Sequence, residues 1–325
     1  MDVLSIGLMV ADIIIYPVDA GIFEKDSVRL DTIKHTSGGD ALNVAINLAK
    51  LGINTGICGV VGNDPSGKFL VDEASRFGVE TSGVIISDIY ATSTSVVLTE
   101  SNGARHFAYY GKSNDSFSYT MVSEESIKNV KLLYIGSTMS LAGIDGNGLT
   151  ALFKKARSYN IKTAMDATWD NDGLWLAKIK DSLPYTDLFF PSYDEAVMIT
   201  GEKSVHKMRE FIAAYGVKQF GVKLGSKGCY VTDFEKEYII PPFDCNNVVD
   251  TTGAGDAFMS GYLVGLLNDW DIYKSAVFAG AVSNFCIREL GATTNTVSFK
   301  ETIDFIENQI NNKEFITEKA VCYLN

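Results

Sequence analysis

The chain has 325 residues, 46% of them hydrophobic and 21% charged, which is enough to bury the core of one large domain or two small ones. Its formal net charge of −12 argues against nucleic-acid binding, which needs a basic face, and favours a small-molecule ligand. The five cysteines show neither metal-binding spacing nor a disulfide framework, which is typical of a cytoplasmic protein, and the three histidines form no metal triad in the sequence.

The first stretch, "MDVLSIGLMVADIIIYP", is apolar enough to be considered as a signal or membrane segment. It lacks a basic leading region and carries Asp2 and Asp12. It also stops at Pro17, short of the roughly 20 apolar residues that a spanning helix needs. We therefore predict a buried strand followed by more strand, in a protein without a membrane partner.

Short β-branched runs then alternate with helical patterns through most of the chain. "ALNVAINLAKLG" predicts a helix, "NTGICGVVG" a strand and "GKFLVDEASRFG" a second helix. The alternation continues through "KLLYIGS", "LTALFKKARSYN", "KTAMDA", "LWLAKIKDSL", "DLFFPS" and "DEAVMITG". "FGVKLGSKGCYVTD" and "KEYIIPPF" add strands, and helices follow through Leu267, Glu289 and Asn311. This rhythm predicts an α/β fold with a three-layer, doubly wound, mostly parallel sheet.

Two segments break the alternation, at about residues 11–37 and 92–112. Both have the period of β-strands without intervening helices, and "SNGA" at 101–104 is a hairpin turn signal. We predict that they form a small β-lid on the α/β body. Such a lid can cover a ligand at the carboxyl edge of the sheet.

The stretch "DTTGAGDAF" is the strongest candidate for a binding site. The apolar pattern of a helix begins at Phe258, so Gly253 to Asp256 occupy the helix N-terminus, where free N–H groups and the helix dipole attract an anion. A carboxylate beside a bound phosphoryl group can accept the proton of an attacking hydroxyl. A capped helix with an ordinary glycine turn is the alternative. No P-loop motif occurs, and Phe258 stands where a dinucleotide-binding fingerprint needs a small residue.

A second stretch, "SGGDALNVAINLAKLG", also places two glycines before a helix, with Asp40 and Asn43 near its start. These side chains have two interpretations. They are either a helix-favouring acid and a buried polar residue, or, together with Asp12, groups that bind sugar hydroxyls. The pattern alone leaves both open.

"GGDALNVAINLAKLGINTGICGVVG" and "DTTGAGDAFMSGYL" resemble the two signatures of the ribokinase-like (PfkB) carbohydrate kinases, with "KLGSKGCYV" between them. The resemblance extends over essentially the whole chain. It implies one kinase domain over residues 1–325 that uses ATP and Mg²⁺ to phosphorylate a sugar hydroxyl. It also implies a β-lid that forms a homodimer contact.

The resemblance assigns Asp256 as the catalytic base, with an anion hole formed by Gly253, Ala254 and Gly255. It implies a sugar pocket lined by Asp12, Gly39, Asp40 and Asn43. The residues that it places by the nucleotide are Lys223, Gly225, Ser226 and Gly228. It implies a monovalent-cation (K⁺) site, several of whose ligands are main-chain carbonyls, at Asp250, Thr252, Cys286, Glu289 and Gly291.

The chain departs from the family pattern at three places. Ser192 replaces the Asn of an Asn-x-x-Glu segment linked to magnesium, while Glu195 remains and is expected to hold Mg²⁺, directly or through water. Gly280 stands where an Asn often lies near adenine. Asp40 occupies a position that is Lys, Ala or Pro in other members, so the substrate cannot be transferred from them.

We therefore predict an ATP-dependent kinase that acts on a primary CH₂OH of a neutral sugar such as ribose or fructose. A neutral sugar is favoured because Asp12 and Asp40 would repel an anion. One alternative is a nucleoside kinase in which Phe107, Tyr109 or Tyr110 stacks on the base. The other is a non-catalytic sensing module, which would be expected to lose Asp256 or the glycine run.

Overall fold

The computed structural model describes residues 1–101, 105–245 and 247–311. The strands in these residues are β1 (Val3–Ile6), β2 (Val10–Tyr16), β3 (Thr32–Gly38), β4 (Thr55–Gly62), β5 (Glu80–Ser87), β6 (Thr94–Thr99), β7 (Arg105–Tyr110), β8 (Leu132–Thr138), β9 (Lys162–Ala167), β10 (Leu188–Phe189), β11 (Gln219–Lys223), β12 (Cys229–Thr232) and β13 (Glu237–Ile240).

The α-helices in the same residues are α1 (Asp40–Lys50), α2 (Pro65–Arg76), α3 (Lys112–Asp115), α4 (Glu124–Lys128), α5 (Asn147–Ser158), α6 (Leu176–Ile179), α7 (Tyr193–Thr200), α8 (Val205–Ala213), α9 (Ala254–Leu267), α10 (Ile272–Cys286) and α11 (Phe299–Asn311). Short 3-10 helices lie at Ala20–Glu24, Tyr119–Met121, Leu183–Tyr185 and Gly225–Lys227. Among the described residues, no helix combines the length and the apolar character required to cross a bilayer.

The larger sheet has the strand order β13-β12-β11-β10-β9-β8-β1-β4-β5 in the described part of the chain. Its strands from β11 to β5 run parallel, whereas the β11–β12 and β12–β13 pairs are antiparallel. Because parallel strands all end at one edge, the loops after β8, β9 and β11 meet there. This edge carries the candidate site.

Helices cover both faces of this sheet, as predicted. Along β8, Leu133 belongs to a core that includes α5 and α8, whereas Tyr134 belongs to a core that includes α1, α9 and α10. Alternate side chains of a strand point to opposite faces, so a parallel strand buried on both sides reads as a continuous apolar run. "LLYIGS" in β8 has this character.

Helix α9 lies deep in the second core and is apolar on all sides, which is typical of a buried helix. The Phe190 ring, just beyond β10, meets the Phe258 and Tyr262 rings with centroids 4.9 and 5.1 Å away. Gly261 allows close packing of α9 on α10, because a Cβ there would lie 2.7 Å from the Ala279 Cα. These contacts hold the N-terminus of α9 at the carboxyl edge of the sheet.

The smaller sheet is the predicted lid, in the order β3-β2-β6-β7. β2 pairs antiparallel with β3 and parallel with β6, and β6 pairs antiparallel with β7. The predicted turn at 101–104 falls between β6 and β7 in the sequence, and 102–104 lie outside the described residues. We had expected no helices in these two segments, and this is wrong. A 3-10 turn at Ala20–Glu24 begins after Asp19, whose side chain accepts a hydrogen bond from the Gly21 N–H. Helix α3 begins at Lys112, at the end of the second segment.

Two predicted helices are shorter in the structure. "LWLAKIKDSL" forms only α6, followed by a 3-10 turn at Leu183–Tyr185. Pro184 lacks an N–H and restricts the residue before it, so an α-helix does not continue through this point. α10 ends at Cys286 rather than at Glu289, and Val249 and Asp250 donate their N–H groups to the Ile287 carbonyl just beyond it.

Candidate functional site

Helix α9 starts at Ala254, directly after Gly253, within the stretch that we predicted to form a helix N-terminus. Gly253 precedes the helix with φ +75°, and a Cβ there would lie 2.2 Å from the Ala292 Cβ, so only glycine fits. The Ala254 N–H, one of the predicted anion-hole donors, donates a 3.2 Å hydrogen bond to the Thr251 carbonyl in the loop before the helix. Ala254 and Gly255 both line a cavity of about 570 Å³. The helix therefore starts at the wall of a cavity large enough for a ligand.

Asp256 lies in the first turn of α9 and is buried. Its Oδ2 accepts a 2.8 Å hydrogen bond from the Asn43 side-chain amide, which comes from the first turn of α1. Burial raises the pKa of Asp256 well above its usual range, and the nearby Asp40 carboxylate adds to the shift. The Asn43 hydrogen bond acts in the opposite direction, because it stabilises the charged form. A carboxylate of raised pKa is a stronger proton acceptor when it is ionised.

Asp40 is the first residue of α1, and its Oδ2 accepts hydrogen bonds from two hydroxyls. These come from Ser137 at the end of β8, at 2.7 Å, and from Thr168 just after β9, at 2.8 Å. Sequence reasoning missed both hydroxyl residues, although each follows or ends a predicted strand. They hold Asp40 at the carboxyl edge of the sheet, close enough to Asp256 for the two carboxylates to interact electrostatically.

Asp12 approaches the same region from the lid strand β2. Its Oδ2 lies 2.1 Å from the place where a Cβ on Gly38 would sit, so it packs directly over the end of β3. Burial raises the pKa of Asp12 to about 7, with a contribution from the like charge of Asp40. Gly39 separates β3 from α1 and packs on the Leu8 carbonyl. The structure thus brings Asp12, Gly39, Asp40 and Asn43 to one side of Asp256.

The larger cavity contains all the residues predicted to lie by the nucleotide: Lys223, Gly225, Ser226 and Gly228. Apolar side chains line it as well, among them Phe243, Phe258 and Ala276. Gly280 lines it too, and a Cβ there would lie in ordinary van der Waals contact with the Phe243 ring, at 3.7 Å. One helical turn later, the Asn284 amide donates to the Phe243 carbonyl at 3.0 Å and ties the cavity wall to α10.

Lys223, the last residue of β11, forms an ion pair with Asp166 at 2.5 Å. Burial by itself lowers the pKa of the Lys223 ammonium, but the carboxylates of Asp166 and Glu195 together outweigh burial, so the pKa lies above its usual value. Burial also raises the pKa of Asp166, to about 7, although Lys223 acts in the opposite direction. We did not identify Asp166 from the sequence. The available signal was a carboxylate near the carboxyl end of the predicted strand "KTAMDA", where ligands of parallel sheets bind.

Glu195, the predicted magnesium residue, belongs to a capping box at the start of α7. Its Oε2 accepts from the Ser192 N–H at 2.7 Å, and the Ser192 hydroxyl accepts from the Glu195 N–H at 3.4 Å. Serine at this position therefore has a clear structural role as a helix cap. Glu195 is nevertheless near enough to contribute to the raised pKa of Lys223.

A second cavity, of about 230 Å³, lies between the lid and the loop before α9. Asp12, Thr36 and Phe107 line it from the lid, and Leu290 lines it from the opposite side. Of the predicted sugar residues, it contains Asp12. Val248 and Thr251 line both cavities, so the two are separated by a single loop.

Four of the five predicted cation residues are close together. Asp250 accepts the Thr252 N–H at 2.9 Å with Oδ1 and the Gly291 N–H at 3.1 Å with Oδ2. The buried Cys286 thiol donates to the Thr252 carbonyl at 3.6 Å and to the Ala292 carbonyl at 3.4 Å. The Glu289 side chain is exposed. Across residues 1–101, 105–245 and 247–311, no group of three or more His, Cys, Asp or Glu side chains is arranged to hold a metal ion.

The chain matches the family model of the pfkB carbohydrate kinases over residues 1–298. It is 30% identical to the ATP-dependent 6-phosphofructokinase of Thermoanaerobacterium thermosaccharolyticum, over 90% of this chain and 89% of that protein. It is 26% identical to the nucleoside kinase of Methanothermobacter thermautotrophicus, over 93% of this chain and 94% of that protein.

A solved fructokinase from Xylella fastidiosa with bound ATP has a TM-score of 0.83 to this chain at 20% identity, covering 95% of this chain and 99% of that one. This likeness confirms the predicted ribokinase-like fold. Together with the family match, it supports a sugar or nucleoside kinase and confirms the prediction of a phosphotransferase that acts on an alcohol group. The chain belongs to the pfkB family of carbohydrate kinases.

Proposed function

We propose that this protein is an ATP-dependent sugar kinase and that Asp256 is its catalytic base. The position of Asp256 carries the proposal: it lies at a helix N-terminus beside the larger cavity, and the smaller cavity lies across one loop. ATP would occupy the larger cavity, with its base among the apolar residues and its phosphates near Lys223 and Gly255. The proposal treats residues 1–325 as one kinase domain, which the family match over 1–298 supports.

In the proposed reaction, the sugar hydroxyl, a primary CH₂OH, gives its proton to the Asp256 carboxylate. Its oxygen forms a bond to the γ-phosphorus while the bond from that phosphorus to the β,γ-bridging oxygen breaks, and ADP leaves. Gly255 and the positive end of the α9 dipole stabilise the negative charge that moves through the phosphoryl group. Asn43 orients the Asp256 carboxylate. Positioning and electrostatic stabilisation of this kind are the main contributions to catalysis of phosphoryl transfer.

The carboxylates around Lys223 fit a magnesium ion, which proteins usually bind through one or two carboxylates together with substrate phosphates. Glu195 would hold it, directly or through water, and Mg²⁺ would neutralise charge on the phosphates. A monovalent cation such as K⁺ fits the carbonyl-rich contact between the 250–252 loop and the turn after α10, which Asp250 already joins through its two oxygens.

We propose a neutral sugar as the substrate, such as ribose or fructose. The carboxyl groups of Asp12, Asp40 and Asp256 converge on this region, and Asp40 contributes to the raised pKa values of the other two, so a substrate anion would add to an existing repulsion. The lid cation Lys34 is engaged with the Leu290 carbonyl at 2.9 Å. The Asn43 Oδ1 is buried and has no hydrogen-bond partner among the described residues, so it is available to a sugar hydroxyl. The relative with 30% identity is named for a sugar phosphate, so fructose 6-phosphate belongs in any test.

A nucleoside kinase remains the second candidate, because Phe107 lines the smaller cavity and is 62% exposed, as a base-stacking ring would be. Tyr109 is less suited, since its hydroxyl accepts from Asn114 at 3.2 Å. A coupled ADP-release assay over pentoses, hexoses, sugar acids, sugar phosphates and nucleosides separates these candidates. Asp256→Asn is the blank. A rate on a neutral sugar that disappears in the blank supports the proposal, and turnover confined to nucleosides or sugar phosphates contradicts it.

We also propose that the lid forms a homodimer contact. The face of the lid opposite Asp12 carries Ile13, Ile15 and Ile33, and Ile33 is 62% exposed. An apolar sheet face of this kind is stabilised by a second copy. Sedimentation equilibrium should give a dimer for the parent and a monomer for Ile33→Asp. A monomeric parent at micromolar concentration would contradict the contact.

A further inference from the structure

The ion pair between Lys223 and Asp166 lies at the phosphate end of the larger cavity. The lysine side chain is 16% exposed and the aspartate side chain 3%, and their charged atoms are 2.5 Å apart. A Cβ on Gly255 would lie 3.4 Å from the Lys223 Nζ, so the ammonium lies against the first turn of α9. A buried positive charge therefore adjoins the proposed anion site.

Stability alone gives a poor account of this pair. Removing two charges from water costs free energy that their attraction often fails to recover, and apolar residues in place of buried ion pairs are frequently as stable. The pair also lies at a cavity wall instead of deep in a core, because Lys223 lines the cavity. A charge kept at such a position is a candidate for ligand binding.

The Asp166 carboxylate is itself held in place. The Asp166 Oδ1 accepts a hydrogen bond from the Ala167 N–H at 2.8 Å, and the main-chain carbonyl of Asp166 accepts one from the Thr138 hydroxyl at 2.5 Å. Lys223 is fixed at its backbone too, where its N–H donates to the Pro191 carbonyl at 2.9 Å. Both residues therefore sit on sheet strands rather than on mobile loops, as a group that must meet a ligand with defined geometry requires.

We propose that Asp166 is a positioning residue that holds the Lys223 ammonium beside the N-terminus of α9, where the ammonium binds the terminal phosphoryl group of the nucleotide. The inference rests on the proposed function, since it requires ATP in the larger cavity. In this arrangement the base packs on Phe243 and Ala276, which line the cavity, and Lys223 lines it beside the first turn of α9. Phosphates that extend from there toward Asp256 pass Lys223, and the last of them is the one transferred.

The decisive measurement compares ATP with ADP, because only ATP carries the terminal phosphoryl group. Calorimetric titration in EDTA removes the contribution of magnesium. In Lys223→Met, ATP affinity should fall about 10- to 100-fold more than ADP affinity, as expected for loss of one hydrogen-bonded charge contact. Lys223→Arg keeps the charge and should keep part of the preference for ATP. Asp166→Asn should lower the same preference and also lower kcat.

Asp187→Asn is the matched control. Asp187 forms a 2.6 Å ion pair with Arg157, with its side chain 9% exposed, just before β10 and thus at the opposite edge of the sheet. This variant should lower the melting temperature without altering the ratio of ATP to ADP affinity. An unchanged ratio in Lys223→Met, or in Asp166→Asn if the first variant fails to fold, overturns the inference alone. A parent protein that binds neither nucleotide contradicts the proposed function as well.

Discussion

The Asn43 amide donates a 2.8 Å hydrogen bond to the Asp256 carboxylate, which joins the first turns of α1 and α9 across 213 residues of sequence. This hydrogen bond joins the two sequence motifs at the candidate site, and the Ser260 hydroxyl, which lies 3.5 Å from the Val44 carbonyl, joins them again one turn further along α9. Because the Asn43 hydrogen bond stabilises the charged carboxylate, it partly offsets the effect of burial on the pKa of Asp256.

Asn43→Ala should therefore raise the pKa of Asp256. The carboxylate would then be protonated over a wider range, and the acidic limb of the profile of kcat/KM against pH should move to higher pH by about 1 unit. Asn47→Ala is the control, since Asn47 lies one turn later in α1 and bonds to Thr296 and the Ala292 carbonyl instead. Identical limbs in the parent and Asn43→Ala would show that the bond does not influence the base.

Asp256→Asn should remove the base while preserving the fold. General-base catalysis contributes about 10²–10⁴ in rate, so kcat on the best substrate should fall by about that factor. ATP affinity should stay near that of the parent, and the melting temperature should not fall, because a buried carboxylate is replaced by a neutral amide of the same shape. Near-parental kcat in this variant would show that another group accepts the proton.

Asp12 predicts a pH dependence of stability. Its pKa of about 7 in the folded protein is above the value near 3.8 expected when it is unfolded, so the folded state binds more protons between these values. The contribution of Asp12 to the free energy of unfolding is therefore highest below about pH 4 and falls as the pH rises from 4 through 7, because folding then requires burial of the ionised carboxylate. Asp12→Asn should remove this destabilisation, so urea unfolding should show a larger gain of the variant over the parent at pH 8 than at pH 5. If the variant is no more stable than the parent at pH 8, burial does not disfavour the ionised form of Asp12.

The cation site predicts activation by K⁺. At constant ionic strength, kcat/KM should be higher in K⁺ than in tetramethylammonium, because an ion between the 250–252 loop and Gly291 would order the backbone at the start of α9. Glu289→Gln tests the one predicted ligand whose side chain is exposed, and it should respond like the parent if Glu289 is among the several ligands that act through main-chain carbonyls. A flat response across K⁺, Na⁺ and tetramethylammonium would argue against the site.

From the position of Asp40 we predict that the enzyme prefers neutral substrates to anionic ones. The parent should prefer ribose and fructose to 2-keto-3-deoxygluconate and fructose 1-phosphate, because a substrate anion would lie near like charges. Asp40→Ala removes one of these charges and frees the Ser137 and Thr168 hydroxyls, so the ratio of kcat/KM values should move toward the anions. A parent that prefers an anionic substrate would contradict this view of the pocket.

The sequence by itself determined the elements and the class of protein. The β/α alternation and the helix start at Gly253 depend on local properties, namely hydrophobic period, glycine and the dipole of a helix N-terminus, which can be read within about 15 residues. The capping box formed by Ser192 and Glu195 is also a local pattern, which the sequence could have predicted, whereas the family resemblance indicated magnesium binding by Glu195.

Only the tertiary structure decided which side chains meet. The Lys223–Asp166 pair spans 57 residues, and the Asp40 carboxylate finds its hydroxyl partners at the ends of two other strands. Such contacts depend on strand order and on which strand ends share an edge, and neither follows from residue patterns. The pKa shifts of Asp12 and Asp256 are decided at the same level, because burial and neighbouring charge exist only once the chain is packed.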